Sequence, residues 1–185
     1  MKKHLLIYVV VGVAIFIAGI VCAPLIHEKG YQIKEWITKP PPAAPEVKEV
    51  KLYFSASEGN YLSSEKRKII ASSEPTKEAK LILEELIKGP TNSSLFPTLP
   101  SQTEVRALYI RGDCIYVDFS SSLKEKHPGG STGELLTVYS IVDTLLANFP
   151  SQSRVQILIQ GQPRETLAGH IDIREPLSKN TDIIR

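Results

Sequence analysis

At 185 residues, 42% hydrophobic and 23% charged, the chain lies in the ordinary globular range, with room for one core plus accessory segments. Of its 22 Lys and Arg, Lys2 and Lys3 precede an apolar N-terminal run, so the other 20 balance 20 acidic groups and exclude the clustered basic surface of a nucleic-acid binder. Two cysteines, Cys22 and Cys114, are too few for a disulfide framework or a Cys-based zinc site.

Residues 1–4 read as a cytoplasmic N-terminus and residues 5–26 as a transmembrane anchor. About twenty apolar residues span a bilayer core, and the positive charges ahead of the run keep its start inside. Val21 before Cys22 does not suit a lipoprotein signal, and Pro24 does not suit the first position after a signal-peptidase cut, so an uncleaved anchor is expected. Tyr31, Ile33, Trp36 and Ile37 suit the membrane interface. Lys39-Pro-Pro-Pro-Ala-Ala-Pro45 favours extended polyproline conformation, so 27–49 reads as a stalk. Such a tract could also serve an SH3 domain in the cytoplasm, which does not fit an exported segment.

From residue 50 the pattern alternates: Val50, Leu52 and Phe54 against Lys51, Tyr53 and Ser55 predict a strand, and 66–71 a second short one. Pro75 opens a helix with Ala79, Ile82, Leu83, Leu86 and Ile87 on its apolar face, closed by Gly89-Pro90, with Glu84, Glu85 and Lys88 on a solvated side. A loop over 91–101 carries Leu95, Phe96 and Leu99, residues that tuck over a core or form a contact surface. Strands over 105–110 and 114–119 join across Arg111-Gly112-Asp113; in a tight hairpin Gly-Asp is turn chemistry rather than an adhesion signal.

Residues 129–149 hold the longest periodic run. Leu135, Val138, Tyr139, Val142, Leu145, Leu146 and Phe149 share one helical face, and each such side chain contributes roughly 1.5–3 kcal/mol on full burial. Ser131 or Thr132 would cap this helix, and Glu134 suits its positive end. The glycines invite a phosphate-loop reading, but Gly133 is followed by Glu134 and Leu135 where a Walker loop needs Lys and Ser or Thr, and a carboxylate there repels phosphate. Val155, Ile157 and Ile159 predict another strand, 164–174 a last strand or irregular return, and 178–185 a flexible tail. The fold class expected is α+β: a mixed or mainly antiparallel sheet with two helices on one face, preceded by one transmembrane helix.

No nucleophile with a base, carboxylate pair or ligand cluster stands out. His127 and His170 are far apart in sequence. His170 with Asp172 is a thin metal or relay candidate, and nothing in the sequence places Asp118 beside Asp143. No catalytic residue, metal ligand or cofactor is therefore expected.

Five phrases in order carry a resemblance: Leu52-Tyr-Phe-Ser, Glu84-Glu-Leu-Ile-Lys-Gly-Pro90, Tyr116-Val-Asp-Phe-Ser120, Gly130-Ser-Thr-Gly-Glu134 with Thr137-Val-Tyr139, and Glu165-Thr-Leu-Ala-Gly-His170. Over about 50–177 the chain resembles the GerMN domain of GerM-type sporulation and spore-germination proteins, here in one copy and without a lipobox. The resemblance implies a non-enzymatic, membrane-tethered extracytoplasmic module with a fold similar to ring-building domains of sporulation channel complexes. It marks Gly130, Gly133, Glu134, Gly169 and His170 as motif residues of structural character. The expected location is the bacterial cell membrane, single-pass, with the domain outside. The expected partner is a second copy or another envelope protein, with the membrane held through 5–26, the cell wall a further candidate, and no nucleic acid. The alternative is a binding domain for cell-wall glycan or peptide using Tyr53, Tyr61 and Tyr109 as stacking surfaces; a hydrolase is a third reading.

Overall fold

The computed structural model describes residues 45–56 and 60–185, together with Val13 and Phe16. The globular unit is Pro45–Arg185. The rest of the expected anchor and of the stalk up to residue 44 lies outside the described residues, among which no helix is long and apolar enough to cross a membrane.

Strands β1 (Val47–Ala56) and β2 (Leu62–Ile70) pair antiparallel from Val47↔Ile70 to Ser55↔Leu62. Both start earlier than the apolar pattern suggests, at 47 rather than 50 and at 62 rather than 66. The inward positions of β2 include Glu65 and Arg67, which neutralise each other, so its alternation is one of exposure rather than of hydrophobicity. Helix α1 (Pro75–Ile87) buries Ala79, Ile82, Leu83 and Leu86 as its spacing requires. In the following loop, β3 (Leu95–Phe96) adds to β1 at Ser55 and Ala56. Leu95 and Leu99 tuck into the core while Phe96 stays exposed.

Strands β4 (Val105–Arg111) and β5 (Cys114–Phe119) form the expected hairpin across Gly112-Asp113, pairing Arg111 with Cys114. The chain then runs through α2 (Ser122–Glu125) and α3 (Ser131–Asn148) to β6 (Arg154–Ile159), which lies parallel to β5, as such a long crossover allows. A short β7 (Leu177–Ser178) closes that side. The one sheet expected is thus two, an antiparallel β2-β1-β3 and a mixed β4-β5-β6-β7. Helix α1 packs on β1 and β4, and α3 on β1, β6 and α1, around a shared core that includes Phe54, Leu83, Val117, Phe119, Ile141 and Ile157.

Helix α3 departs from the single-stripe expectation. Besides its apolar residues it buries Thr137, Ser140, Asp143 and Thr144, each with a bond of its own: Thr137 and Ser140 to Thr98, Asp143 to the Asn180 N–H and Thr144 to the edge of β1. The Thr144 Oγ1 accepts the Tyr53 N–H at 3.0 Å, and Asn148 accepts the Lys51 N–H at 3.0 Å while donating to the Lys51 carbonyl at 2.7 Å. One edge of β1 is thereby closed by side chains.

The tail expected to be flexible at 178–185 is instead packed. A 3-10 turn over Thr181–Ile183 leads to a bridge between Ile184 and Leu62, and the Arg185 N–H donates to the Leu62 carbonyl at 2.9 Å. Ile183 and Ile184 rest on Tyr53, Leu62 and Leu136, which is the apolar gain that outweighs the polar composition of the segment.

Candidate functional site

The motif residues meet at the start of α3. Glu134 is 0% exposed, and its carboxylate gathers three backbone amides from a loop more than thirty positions away: Leu167 at 2.8 Å and Ala168 at 2.9 Å on Oε1, and His170 at 2.8 Å on Oε2. Burial pushes its pKa up, but the amides of Ala168, His170, Leu167 and Ile171 outweigh that and hold it below the usual carboxylate value. Two of the five phrases, Gly130-Ser-Thr-Gly-Glu134 and Glu165-Thr-Leu-Ala-Gly-His170, are thus the two halves of one clamp. Gly169, at φ +99°, turns the chain so that amides on both sides of it reach the same carboxylate, a backbone state other residues resist. The expected caps Ser131 and Thr132 are not used. Gly130 occupies the N-cap with φ +83° and no side-chain bond, and its carbonyl accepts the Glu134 N–H at 2.9 Å. A Cβ at Gly133 would stand 3.9 Å from His127 Cε1, an ordinary contact, so sterics do not demand glycine there. His170 contributes its backbone; its side chain is exposed.

His127 is committed in the same region. Its Nδ1 accepts the Gly129 N–H at 3.0 Å, which leaves the proton on Nε2 to donate to Thr137 Oγ1 at 2.9 Å, and Thr137 donates onward to the Thr98 carbonyl at 2.6 Å. Burial pushes its pKa down, against the pull of the Glu134 charge. It is a neutral brace between helix and loop.

A second brace ties β2 to α1. Arg67 donates to the carbonyls of Glu85 and Gly89, both at 3.0 Å, and pairs with Glu85 and Glu65. Glu65 also accepts the amides of Thr91 and Asn92, each at 2.9 Å on Oε2. Burial opposes the ionised Glu65, but these bonds hold its pKa down at about 2. Glu85, expected on a solvated face, is therefore part of the phrase ending in Gly89-Pro90 for a structural reason: Arg67 satisfies carbonyls that a helix C-terminus leaves free.

Asp118 and Asp143 do not form a pair. Asp118 accepts the Gly161 N–H at 2.7 Å and faces Arg106 at 3.4 Å, whereas Asp143, 0% exposed, holds the Asn180 N–H at 3.0 Å. Asp172 pairs with Arg174 at 2.6 Å, leaving no relay with His170. Asp113 of the Arg-Gly-Asp turn binds Arg154 and Ser153. Tyr53 is buried and Tyr61 lies under Arg185, so of the three expected stacking residues Tyr109 alone is well exposed, at 61%. An open cleft of about 520 Å³ involves Lys48, Thr76, Glu78, Phe149 and Gln152, with Lys48 and Glu78 already paired at 2.5 Å. Among the described residues no three His, Cys, Asp or Glu are placed to hold a metal. Sequence reasoning weighed Asp143 only as a partner for Asp118 and missed its burial, and it missed the Glu65–Arg67 brace; the one signal for the former was an acidic residue inside the run Ile141-Val142-Asp143-Thr144-Leu145.

A family model described as "Germane: Sporulation and spore germination" matches residues 51–165. No curated protein matches the chain. Several solved structures are similar, these three among them. One, described as a "Putative Lipoprotein from Clostridium perfringens", is 26% identical with a TM-score of 0.52, over 75% of this chain and 93% of that one. The first GerMN domain of the sporulation protein GerM from Bacillus subtilis is 23% identical with a TM-score of 0.55, over 71% and 97%. The tandem GerMN domains of the same protein are 18% identical with a TM-score of 0.58, over 79% of this chain and 51% of that one, so the chain spans about half of the tandem.

Proposed function

Since the chain belongs to the Germane family of sporulation and spore germination domains, we propose that it is a membrane-anchored, extracytoplasmic, non-enzymatic module that docks an envelope partner through the free edge of β2. Residues 5–26 hold it to the membrane, and the proline-rich stretch sets the domain away from the surface.

The observation that carries this reading is the asymmetry of the first sheet. The Leu62 carbonyl faces away from β1 to accept the Arg185 N–H, so by strand alternation the backbone groups of Ser64, Lys66 and Lys68 also face outward. Among the described residues these groups have no partner, while the opposite edge of the sheet is closed by Thr144, Asn148 and β3. An extended peptide adds to such an edge by main-chain bonds. In a second copy paired antiparallel about Lys66, Lys66, already paired with Glu49 at 2.8 Å, would face its own copy, and Lys68 would face Ser64 and gain no carboxylate. An acidic strand of another envelope protein fits better than a second copy. The buried carboxylates and His127, meanwhile, are engaged in the fold rather than presented to a substrate.

The glycan reading keeps one observation: Tyr109 lies directly opposite Tyr116 on the outer face of the second sheet. Photo-crosslinking in native envelopes separates the two, with the reactive side chain placed at position 66 or at position 109. Protein adducts from position 66, lost on Lys68→Pro, support edge docking. Adducts or glycan attachment from position 109 alone would overturn it.

A further inference from the structure

Asp143 is wholly buried, and its Oδ2 has no hydrogen-bond partner among the described residues. Its Oδ1 takes the Asn180 N–H, the point where the C-terminal segment is tied to α3. Past that tie, Asn180 caps the 3-10 turn by accepting the Asp182 N–H at 3.1 Å, Ile183 and Ile184 cover Tyr53, Leu62 and Leu136, and Arg185 lies 5.2 Å over the Tyr61 ring. Beyond β7, which stays paired with β6, residues 179–185 form a strap with one carboxylate anchor and one strand bond. A buried carboxylate with a single amide donor is poorly served when ionised, in contrast to Glu134 with three.

We infer that residues 179–185 are a proton-dependent strap, closed while Asp143 is protonated and released more often as it ionises, uncovering the apolar groove of Tyr53, Leu62 and Leu136 together with the start of the β2 edge. The groups acting on Asp143 are Tyr53 from β1, Tyr139 from α3 itself and Lys179 from the strap; the tyrosines are neutral, and Lys179 is the one cation. Burial pushes the Asp143 pKa up to about 6, against the Asn180 amide and the Lys179 charge. The closed form therefore binds the proton more tightly than the open form. Closure is held below the ordinary Asp range, weakens as the pH climbs through about 6, and is weakest above it, with a ceiling of roughly a hundredfold in the opening constant. The strap goes beyond the edge-docking reading and stands whether or not β2 binds a partner.

The test is amide hydrogen exchange of the full-length chain in detergent micelles from pH 4.5 to 7.5, corrected for intrinsic base catalysis. The corrected opening of the Asn180 and Arg185 amides should rise at least tenfold, on the order of the linkage above, with a midpoint near 6, while the Leu167 amide held by Glu134 should not follow. Asp143→Asn, which keeps a carbonyl for Asn180, should flatten the rise. Lys179→Ala, an exposed change, should move the midpoint upward. A flat profile in the unmodified chain, a rise that survives Asp143→Asn, or a midpoint unmoved by Lys179→Ala would overturn the strap.

Discussion

Glu134 and Asp143 sit on the same helix, about two and a half turns apart, both without solvent exposure, and they titrate in opposite directions. Burial raises both and is deeper around Asp143, and the donors differ as well. The first turn of α3 carries the helix dipole and receives a loop whose amides converge on Glu134. Mid-helix, Asp143 has one amide donor and lies close enough to Tyr53 and Tyr139 for its charge to oppose their ionisation. A buried carboxylate is a fixed brace in one setting and a labile anchor in the other.

The largest expected effect comes from breaking the brace. Glu134→Ala leaves three amides of the 167–170 loop without an acceptor and should lower unfolding free energy by about 3–5 kcal/mol in urea titration, against about 1–2 for Glu134→Gln, which keeps a carbonyl. Arg67→Ala should follow at about 2–4 kcal/mol, since it abandons Glu65, Glu85 and two helix-end carbonyls. At the other end of α3 the sign should reverse with pH. The raised Asp143 pKa means stability that is present below the unfolded value and lost as pH rises towards about 6. Asp143→Asn should therefore match or exceed the unmodified chain at pH 7.5 by about 1 kcal/mol and fall below it at pH 4.

His127 sharpens the comparison with the opposite slope. Its lowered pKa makes the folded state lose stability as pH falls through 6.5, so His127→Gln should flatten the acid side of a melting-temperature profile without touching the contribution from Asp143. The smallest effect is expected at the Arg-Gly-Asp turn. Asp113 and Arg154 form an exposed pair, and Asp113→Asn should leave the melting temperature nearly unchanged.

The long helix was legible because Gly129-Gly130 and Asn148-Phe149-Pro150 bracket a clear 3.6 period. Helix α1 and the β4–β5 hairpin were legible for similar local reasons, Pro75 with Gly89 and the Gly112-Asp113 turn. What could not be read was tertiary. Thr144 and Asn148 look like solvent-side residues until a strand edge lies beside them, and Glu134 looks like a dipole partner until a loop over thirty residues away brings its amides. The early start of β2 was hidden because Glu65 and Arg67 point inward and neutralise each other, and that of β1 because Val47, Lys48 and Glu49 are all exposed and show no apolar alternation. The strap was read as a flexible tail because Lys179, Asn180, Thr181 and Asp182 are polar and the apolar pair that seats it is only Ile183 and Ile184. The motif residues were found through the resemblance, and the clamp between the two phrases is what gives them a physical role.

The most direct test is a carboxyl-carbon NMR titration of residues 45–185 that follows Glu134 and Asp143 in one sample from pH 2 to 8. Glu134 should titrate below the usual glutamate value of 4.5 and Asp143 at about 6. Two carboxyls titrating together near their ordinary values, or Asp143 below Glu134, would contradict the division of α3 into a fixed brace and a labile anchor.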